Sequence, residues 1–499
     1  MLAEGNHLEE SQSSYRSIFK ATSLFGGVQV YTILIQIIKS KVIAVLLGPF
    51  GVGLQGLYQS ALDLVRQATS LGISQSAVRD VAEANGSGDL QQISRRVTVL
   101  RRIVWFTGLL GLVAVVLFSH LLSETSFGDN GHIIPFVLLS IILLLDQLSA
   151  GQKVVLQGMR RLRDLAKATA LGATASLAFS LPLYYLWGVE GVVPAMILTA
   201  AVTLLVSWYY SHSIAINHVS LDLKEIFREG KSMMVMGISM SLSGVLSMGA
   251  GFLIRSLIRK WGGVDEVGLF QAGFVIINSY VALVFNAIST DYYPRLAAVN
   301  KDNSKCREVV SQQGEISVHL LAPLLAICIL AMPLVIRLLY SEQFLPANGF
   351  IKWACLGMLF RLVAWLVSFM FMAKAESKLF VINELVGSLN YLWISLLGYK
   401  LGGLTGLGIA FVVNYIVYFI QVFSIARYRY GFKFSDSFTK DFQVQLLLVG
   451  MSLCSILFIP GLIKYVIGFL FVAFSCIESM KRLNERTNFK QAIYNRLQK

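Results

Sequence analysis

One stretch of the sequence has the residue types and the spacing to bind a polar ligand beside a helix. Polar side chains recur there at three- and four-residue steps, which places them on one face of a helix. They are Gln55, Gln59, Asp63, Arg66, Gln67, Ser70 and Ser74. In a membrane, such a face needs water, a polar partner or a polar substrate beside it. The simpler alternative is that Asp63 and Arg66, three residues apart, form a pair that neutralises itself.

Basic side chains inside predicted membrane segments indicate what the ligand is. A charge there costs several kcal/mol unless it faces a polar cavity or a partner. Lys41 lies near the end of its segment, where its side chain could instead extend to the interface. Arg361 is farther from either end of its segment. Because cations bind phosphate and amides and hydroxyls suit sugars, we expect a cavity that binds an anionic, polar headgroup.

Two sets of candidate residues follow. The first would bind substrate in the cavity and consists of Lys39, Lys41, Gln59, Arg66, Arg255, Asn278 and Arg361. The second would couple transport to a proton or a sodium ion and consists of Asp63, Asp146 and Asp291. The cysteines and histidines have none of the spacings typical of metal sites. We therefore expect no metal site and no cofactor apart from the coupling ion.

A glycine pattern in the same region has a competing interpretation. Gly51, Gly53 and Gly56 fit G-x-G-x-x-G, a dinucleotide-binding fingerprint that requires a strand before it and a helix after it. Here the preceding segment, which ends in KVIAVLL, has the composition of a membrane helix. We therefore interpret residues 48–56 as a tight turn between two membrane helices, where glycine permits a sharp reversal and a close helix approach.

The elements that position these residues are membrane helices. Of the 499 residues, 56% are hydrophobic and 14% are charged, whereas soluble domains contain about 25% charged residues. Apolar stretches long enough to span a membrane recur along the whole chain. The sequence therefore predicts an all-α polytopic membrane protein with fourteen spans. They run near 19–47, 51–78, 102–122, 132–156, 166–187, 190–211, 232–258, 266–290, 314–339, 349–373, 379–398, 403–426, 441–459 and 462–480.

The distribution of basic residues predicts the orientation. In this topology, most of the 42 Lys and Arg residues lie in segments on one side of the membrane. The outside segments hold only Arg259, Lys260, Lys400 and Lys464. The positive-inside rule then places both termini in the cytoplasm. The formal net charge of +14 reflects this topology beside anionic lipid, and we expect no nucleic-acid partner.

An internal repeat divides the predicted spans. VGLQ begins at residue 52 and VGLF at 267, and the glycines of WGVEGV at 188 and 191 match those of GGLTGL at 403 and 406, all with an offset of 215 residues. Under this shift Asp63 falls on Asn278. The shift equals six spans and preserves orientation, which predicts two lobes related as a parallel repeat. The alternative is that glycine-rich turns match by chance.

The predicted organisation has six parts. They are a cytoplasmic N-terminal segment (1–18), an N-terminal lobe (19–213), a cytoplasmic inter-lobe loop (214–230), a C-terminal lobe (231–427), two appended membrane helices (428–480) and a basic cytoplasmic tail (481–499).

Several motifs resemble those of a known family. ATSLFGG, SKVIAVLLGPFGVGLQGL, VLQGMRRLRDLA and TDYYPRL resemble the Wzx-type O-antigen and polysaccharide translocases (flippases) of the MOP superfamily, relatives of the MATE exporters and lipid II flippases. The most specific part is a lysine, an apolar run and G-P-x-G-x-G, found at Lys41, Gly48, Pro49, Gly51 and Gly53. The resemblance implies a MATE-like fold of two six-helix lobes in a pseudo-two-fold V. Many members have twelve spans, so fourteen is a departure, which lipid II flippases share.

The resemblance also implies a function. It is the movement of an undecaprenyl-diphosphate-linked oligosaccharide, an O-antigen-type repeat unit of lipopolysaccharide biosynthesis, from the cytoplasmic to the periplasmic leaflet of the bacterial inner membrane by alternating access. A polysaccharide polymerase and a chain-length regulator would be partners, together with membrane lipid. The alternatives are a MATE-like small-molecule exporter, a lipid II-type flippase and a polysaccharide polymerase or ligase. Cationic drugs would prefer an acidic cavity, and an enzyme would need a long external loop, whereas the longest outside segments, near 123–131 and 340–348, are short and carry no Arg or Lys.

Overall fold

Helices make up nearly all of the chain that the structure, a computed structural model, describes. It describes residues 2–214, 216–217, 219 and 221–487; the side chains at 2–26, 74–75, 223, 227, 232–240, 243, 279–284, 286–287, 289–291, 377 and 487 lie outside that description. The α-helices are α1 (Leu2–Thr69), α2 (Ile73–Ser87), α3 (Leu90–Leu117), α4 (Ser119–Phe127), α5 (Ile133–Gly158), α6 (Leu162–Trp187), α7 (Val192–His212), α8 (Leu223–Val275), α9 (Val281–Ala298), α10 (Asn303–Leu339), α11 (Asn348–Ala373), α12 (Ser377–Tyr430), α13 (Asp436–Phe458) and α14 (Ile463–Thr487). A π-helical turn, Ile276–Tyr280, joins α8 to α9.

The helices confirm an all-α polytopic membrane protein. Within the described residues, nine helical segments are long and apolar enough to cross a membrane. Three of these, Gly27–Thr69, Leu162–His212 and Lys378–Tyr430, are 43, 51 and 53 residues long. Because one crossing takes about 20 residues, each of the three holds two spans joined by a tight turn. Every one of the fourteen predicted spans falls on helical chain in this way.

The turns between paired spans recur at a fixed distance along the chain. Gly48 (φ 63°, ψ −167°) breaks α1, and Gly263 (φ 83°, ψ 177°) breaks α8 215 residues later. Gly188 and Gly403 have the same separation, with φ 54° at both and ψ −127° and −140°. These angles are essentially restricted to glycine. The shared conformation confirms the predicted repeat, because a chance match of letters would not reproduce it.

A third pair of turns has the same offset and could not be read from glycines. Arg160 and Ala375, which follow α5 and α11, have positive φ values of 53° and 57°. In both turns, the next residue donates its amide to the carbonyl five residues before it, at 2.8 and 3.0 Å. Helices commonly end in this way at a left-handed residue. The repeat therefore extends from the glycine turns to the helix ends.

The glycine pattern at 48–56 is the first of these turns, as we predicted. A Cβ on Gly51 would lie 2.2 Å from the Cβ of Leu47. The chain can therefore approach itself across the Gly48 break only because position 51 has no side chain. With a helix on each side, the segment lacks the strand that a dinucleotide-binding turn requires.

The second span ends earlier than the prediction of 51–78. Helix α1 stops at Thr69, and Leu71 and Gly72 take left-handed φ values of 49° and 61°. Helix α2 then begins at Ile73 with Gly72 as its N-cap. Apolar periodicity continues through this break, so the pattern alone did not reveal it. Ser74, the last member of the predicted polar stripe, consequently lies in α2, and its side chain is outside the described residues.

The helices divide into two compact units, 1–252 (unit 1) and 253–499 (unit 2). The core of unit 1 packs α2 and α3 on α5 through fully buried side chains such as Ala77, Val97 and Val155. In unit 2, α11 is buried along most of its length, including Leu359 and Leu366. The boundaries predicted at 213, 230 and 427 stay predictions.

Helices α13 and α14 attach to α10 in unit 2 through a buried polar network. His319 of α10 and Asp441 of α13 have side chains only 1% and 4% exposed, and His319 Nε2 lies 3.2 Å from Asp441 Oδ2. Arg486 of α14 donates to the same carboxylate oxygen at 3.1 Å and also pairs with Glu315 of α10. Polar side chains join helices in a membrane, where apolar burial alone provides little attraction. The sequence analysis did not predict this network.

Candidate functional site

Three of the predicted site residues form one ion-pair cluster in unit 1. Arg66 Nη1 lies 3.1 Å from Asp63 Oδ1, and Arg66 Nη2 lies 2.7 Å from Asp146 Oδ2 on α5. Gln59 donates from Nε2 to Asp63 Oδ1 at 2.9 Å. The three ionisable side chains are 29–32% exposed, so they border an accessible space. Arg66 therefore does pair with Asp63, as the simpler alternative held, but it also joins α1 to α5 through a second carboxylate.

A polar cavity of about 420 Å³ lies beside this cluster, within unit 1. Its volume is in the range of small-molecule sites. The polar side chains that line it are Arg66, Gln67, Ser70, Asp146, Gln147, Ser149, Lys153, Thr203 and Ser241. The inner end of the predicted stripe on α1 thus does face a polar space. Helices α5, α7 and α8 complete the walls.

Arg255 occupies a buried position in unit 2. It is 8% exposed, and its Nε donates to Gln271 Oε1 at 2.9 Å. Its guanidinium carbon lies 4.9 Å from the ring centroid of Phe274 and 5.4 Å from that of Phe270, within cation–π range. The break of α8 at Gly263 places Arg255 on one arm of the helix and these three partners on the other.

Arg361 of α11 is held by uncharged groups. Its Nη1 donates to Asn278 Oδ1 at 2.6 Å and lies 3.7 Å from the sulfur of Met358. Its guanidinium carbon is 5.8 Å from the ring centroid of Phe285 and 5.5 Å from that of Tyr415. None of these groups is anionic, so the contacts fix the guanidinium without neutralising it. Asn278 belongs to the π-helical turn, a feature frequent at functional sites.

The two arginines of unit 2 share a neighbour. Tyr391 of α12 interacts electrostatically with both Arg255 and Arg361. The structure therefore brings together three of the predicted substrate residues, Arg255, Arg361 and Asn278, in one cationic cluster. Gln271, Tyr391 and Tyr415 were not predicted. Gln271 carried a signal, because it lies on the helix that the repeat relates to the polar stripe of α1.

The two clusters occupy equivalent positions of the repeat. The offset of 215 residues relates Asp63 to Asn278, as noted from the sequence, and also relates Asp146 to Arg361. In unit 1 the acid at position 146 binds Arg66, whereas in unit 2 the equivalent position itself carries the arginine. The unit 1 cluster thus has two carboxylates to one guanidinium, and the unit 2 cluster contains two guanidinium groups.

Other predicted residues do not join these clusters or cannot be placed. Lys39 and Lys41 are half-buried on α1 before the Gly48 break, and the contacts that define the two clusters do not include them. The side chain of Asp291 lies outside the described residues. Within the described part of the chain, no group of three or more His, Cys, Asp or Glu residues could hold a metal ion.

Comparison with known proteins places this geometry in a family. A family model described as "Polysaccharide biosynthesis protein" matches residues 42–348. A lipid III flippase of Escherichia coli (strain K12) is 23% identical over 396 residues, which cover 77% of this chain and 92% of that protein. The match includes both clusters of unit 1 and of α8 and α9, since the family model spans residues 42–348.

Solved structures of low sequence identity share the fold. A lipid II flippase, MurJ, in an inward closed conformation has a TM-score of 0.68 at 12% identity, with 94% of this chain and 99% of that chain covered. An inward-facing multidrug resistance MATE family transporter of the MOP superfamily has a TM-score of 0.67 at 18% identity, with 83% of this chain and 96% of that chain covered. These likenesses confirm the predicted MATE-like MOP fold.

Proposed function

This chain belongs to the polysaccharide biosynthesis protein family, and on that premise we propose that it is a flippase for an undecaprenyl-diphosphate-linked oligosaccharide. The oligosaccharide is an O-antigen-type repeat unit, and it moves from the cytoplasmic to the periplasmic leaflet of the bacterial inner membrane. Alternating access carries the headgroup through a polar path while the polyprenyl tail stays in lipid. The chain is a transporter in this proposal and catalyses no reaction.

The observation that supports this substrate most strongly is the environment of Arg361. The guanidinium is fixed by Asn278, a thioether and two aromatic rings, so it keeps its charge for a ligand. Arg255, 8% exposed, supplies a second guanidinium beside the shared Tyr391. Guanidinium groups bind phosphate oxygens in bidentate geometry, and the attraction is stronger away from bulk water. Two such groups suit a diphosphate.

The same cluster separates this function from an exporter of cationic drugs. A cationic substrate would meet two guanidinium groups in unit 2, and like charges in a medium of low dielectric repel strongly. A lipid II-type flippase stays the alternative, because its substrate also carries a diphosphate and a sugar. The two differ in the sugar, not in the anionic group that the arginines would bind.

The acidic residues of unit 1 are the proposed coupling groups. Asp63 and Asp146 share one guanidinium, that of Arg66. Binding of a proton or a sodium ion to either carboxylate would weaken its pairing with Arg66 and loosen the contact between α1 and α5. Asp291 is the third candidate. We further propose that both termini are cytoplasmic and that a polymerase and a chain-length regulator take over the translocated unit.

Deletion of the gene in its own host tests the function. We expect loss of long-chain surface polysaccharide, with undecaprenyl-linked repeat units accumulating on the cytoplasmic leaflet, because the headgroup has no other polar path across the bilayer. Leaflet location is measured by treating spheroplasts with an impermeant sugar-oxidising reagent before lipid extraction. Unchanged polysaccharide together with altered export of a small molecule would contradict the proposal and favour the exporter.

A further inference from the structure

We infer that the 420 Å³ cavity of unit 1 is a sugar-recognition subsite, which takes an uncharged, hydroxyl-rich sugar residue of the lipid-linked oligosaccharide. The inference rests on the proposed function and refines it. Unit 1 would select the sugar, and the guanidinium groups of unit 2 would bind the diphosphate that all such lipids share.

The lining of the cavity has the chemistry that sugar hydroxyls require. A sugar hydroxyl both donates and accepts hydrogen bonds, and so do amide and hydroxyl side chains. Four helices contribute such groups: Gln67, Ser70, Gln147, Ser149, Thr203 and Ser241. Some of these are already held by protein, since Gln147 donates to Thr107 at 2.9 Å and Ser149 pairs with Ser207 at 3.1 Å. They form a fixed wall, and the remaining groups face the ligand.

Two polar atoms at this cavity lack a protein partner. Within the described part of the chain, Arg66 Nε and Ser241 Oγ are buried and make no hydrogen bond. Ser241 is only 6% exposed. Buried polar groups without partners are rare and destabilising, so each one calls for an explanation. Ligand hydroxyls in the cavity would satisfy both atoms. Gln67 is also available, because its Nε2 reaches the Ser241 carbonyl only at 3.5 Å, the limit of a hydrogen bond.

The charges around the cavity indicate an uncharged sugar. Arg66 and Lys153 line it, and both are balanced by acids, because Arg66 pairs with Asp63 and Asp146 and Asp146 also attracts Lys153. A uronic acid or a phosphate placed here would gain little from cations that carboxylates already neutralise. In contrast, the Arg66–Asp146 pair offers a donor and an acceptor side by side, which suits neighbouring hydroxyls of a pyranose ring.

The test measures two ligands separately on the purified protein in detergent. One probe is farnesyl diphosphate, which has the lipid diphosphate without a sugar. The other is the oligosaccharide released by mild acid from the lipid-linked pool of the host, which has the sugar without the diphosphate. Dissociation constants for both are measured by saturation-transfer and titration NMR.

The variants separate the two sites. In a double variant with Gln67→Leu and Ser241→Ala, we expect the dissociation constant for the oligosaccharide to rise about 10- to 100-fold, from two lost hydrogen bonds, while that for farnesyl diphosphate stays unchanged. Retained binding of the diphosphate also shows that the variant is folded. Ser247→Ala, an exposed serine on the same helix, is the matched control and should change neither value. Arg361→Ala should weaken only farnesyl diphosphate.

The outcomes distinguish this inference from the proposed function. If the double variant binds the oligosaccharide as tightly as the wild type, or the wild type does not bind it at all, while Arg361→Ala weakens farnesyl diphosphate, the sugar subsite is wrong and the flippase proposal stands. If the wild type does not bind farnesyl diphosphate, the proposed function itself is contradicted. Loss of oligosaccharide binding in the double variant alone supports both.

Discussion

Arg361→Ala should translocate lipid-linked oligosaccharide about 10- to 100-fold more slowly than the wild type, the range expected for a charge-assisted hydrogen bond to phosphate. The guanidinium is fixed by Asn278 at 2.6 Å and by two aromatic rings, none of which compensates its charge. Its removal therefore takes away attraction for the ligand without leaving a buried carboxylate unpaired. The rate is measured in the deletion host as the periplasmic accessibility of the lipid-linked sugar with time.

The matched control for this variant is Arg337→Ala. Arg337 lies in the last turn of α10, is 54% exposed, and pairs with Glu342 at 3.3 Å. Removing it lowers the net charge of the protein by the same amount but should leave translocation within about twofold, because exposed ion pairs contribute little. Equal rates for both variants and the wild type, at equal protein levels, would refute the role given to Arg361.

Asp441→Ala should destabilise unit 2 by about 3 kcal/mol, the lower end for breaking a buried ion pair. The carboxylate is 4% exposed and meets His319 Nε2 at 3.2 Å and Arg486 Nη2 at 3.1 Å. Without it, the imidazole loses this polar partner and the guanidinium retains only Glu315, which is why the lower end applies. Equilibrium unfolding in mixed micelles measures the free energy.

Asp436→Ala is the control for the stability prediction. Asp436 lies in the first turn of the same helix, α13, and is exposed. Its loss removes only a favourable interaction with the helix dipole, worth about 0.3–1 kcal/mol. A change for Asp441→Ala no larger than that for Asp436→Ala would show that the network does not hold α13 and α14 to α10.

The fold followed from the sequence because its signals are local and repeated. Long apolar stretches predicted the spans, and the glycines that mark Gly48 and Gly263 predicted the turns and the repeat; the structure has both. The early end of α1 at Thr69 was missed, because Leu71 is an apolar residue in a left-handed conformation that fits the span pattern. The buried network at Asp441 was missed because its members lie in three helices far apart in sequence.

The clusters were only half predictable. The residue types were right, but pairing between helices depends on rotation and depth, which periodicity does not specify. Arg66 was expected to bind substrate, yet it is shared by Asp63 and Asp146. The relation between Asp146 and Arg361 lay in the same 215-residue offset as the glycines. It was overlooked because the two residues differ in charge, although they occupy equivalent helices.

The most direct measurement of the central claim is translocation by the purified protein in liposomes. A fluorescent derivative of the lipid-linked oligosaccharide is placed in both leaflets, and an impermeant reductant is added outside, with a proton or a sodium gradient imposed in turn. We expect wild-type protein to expose label from both leaflets under one gradient, and Arg361→Ala to expose the inner-leaflet label far more slowly. If the reductant reaches only the outer leaflet with folded wild-type protein under either gradient, this chain is not a flippase for that lipid.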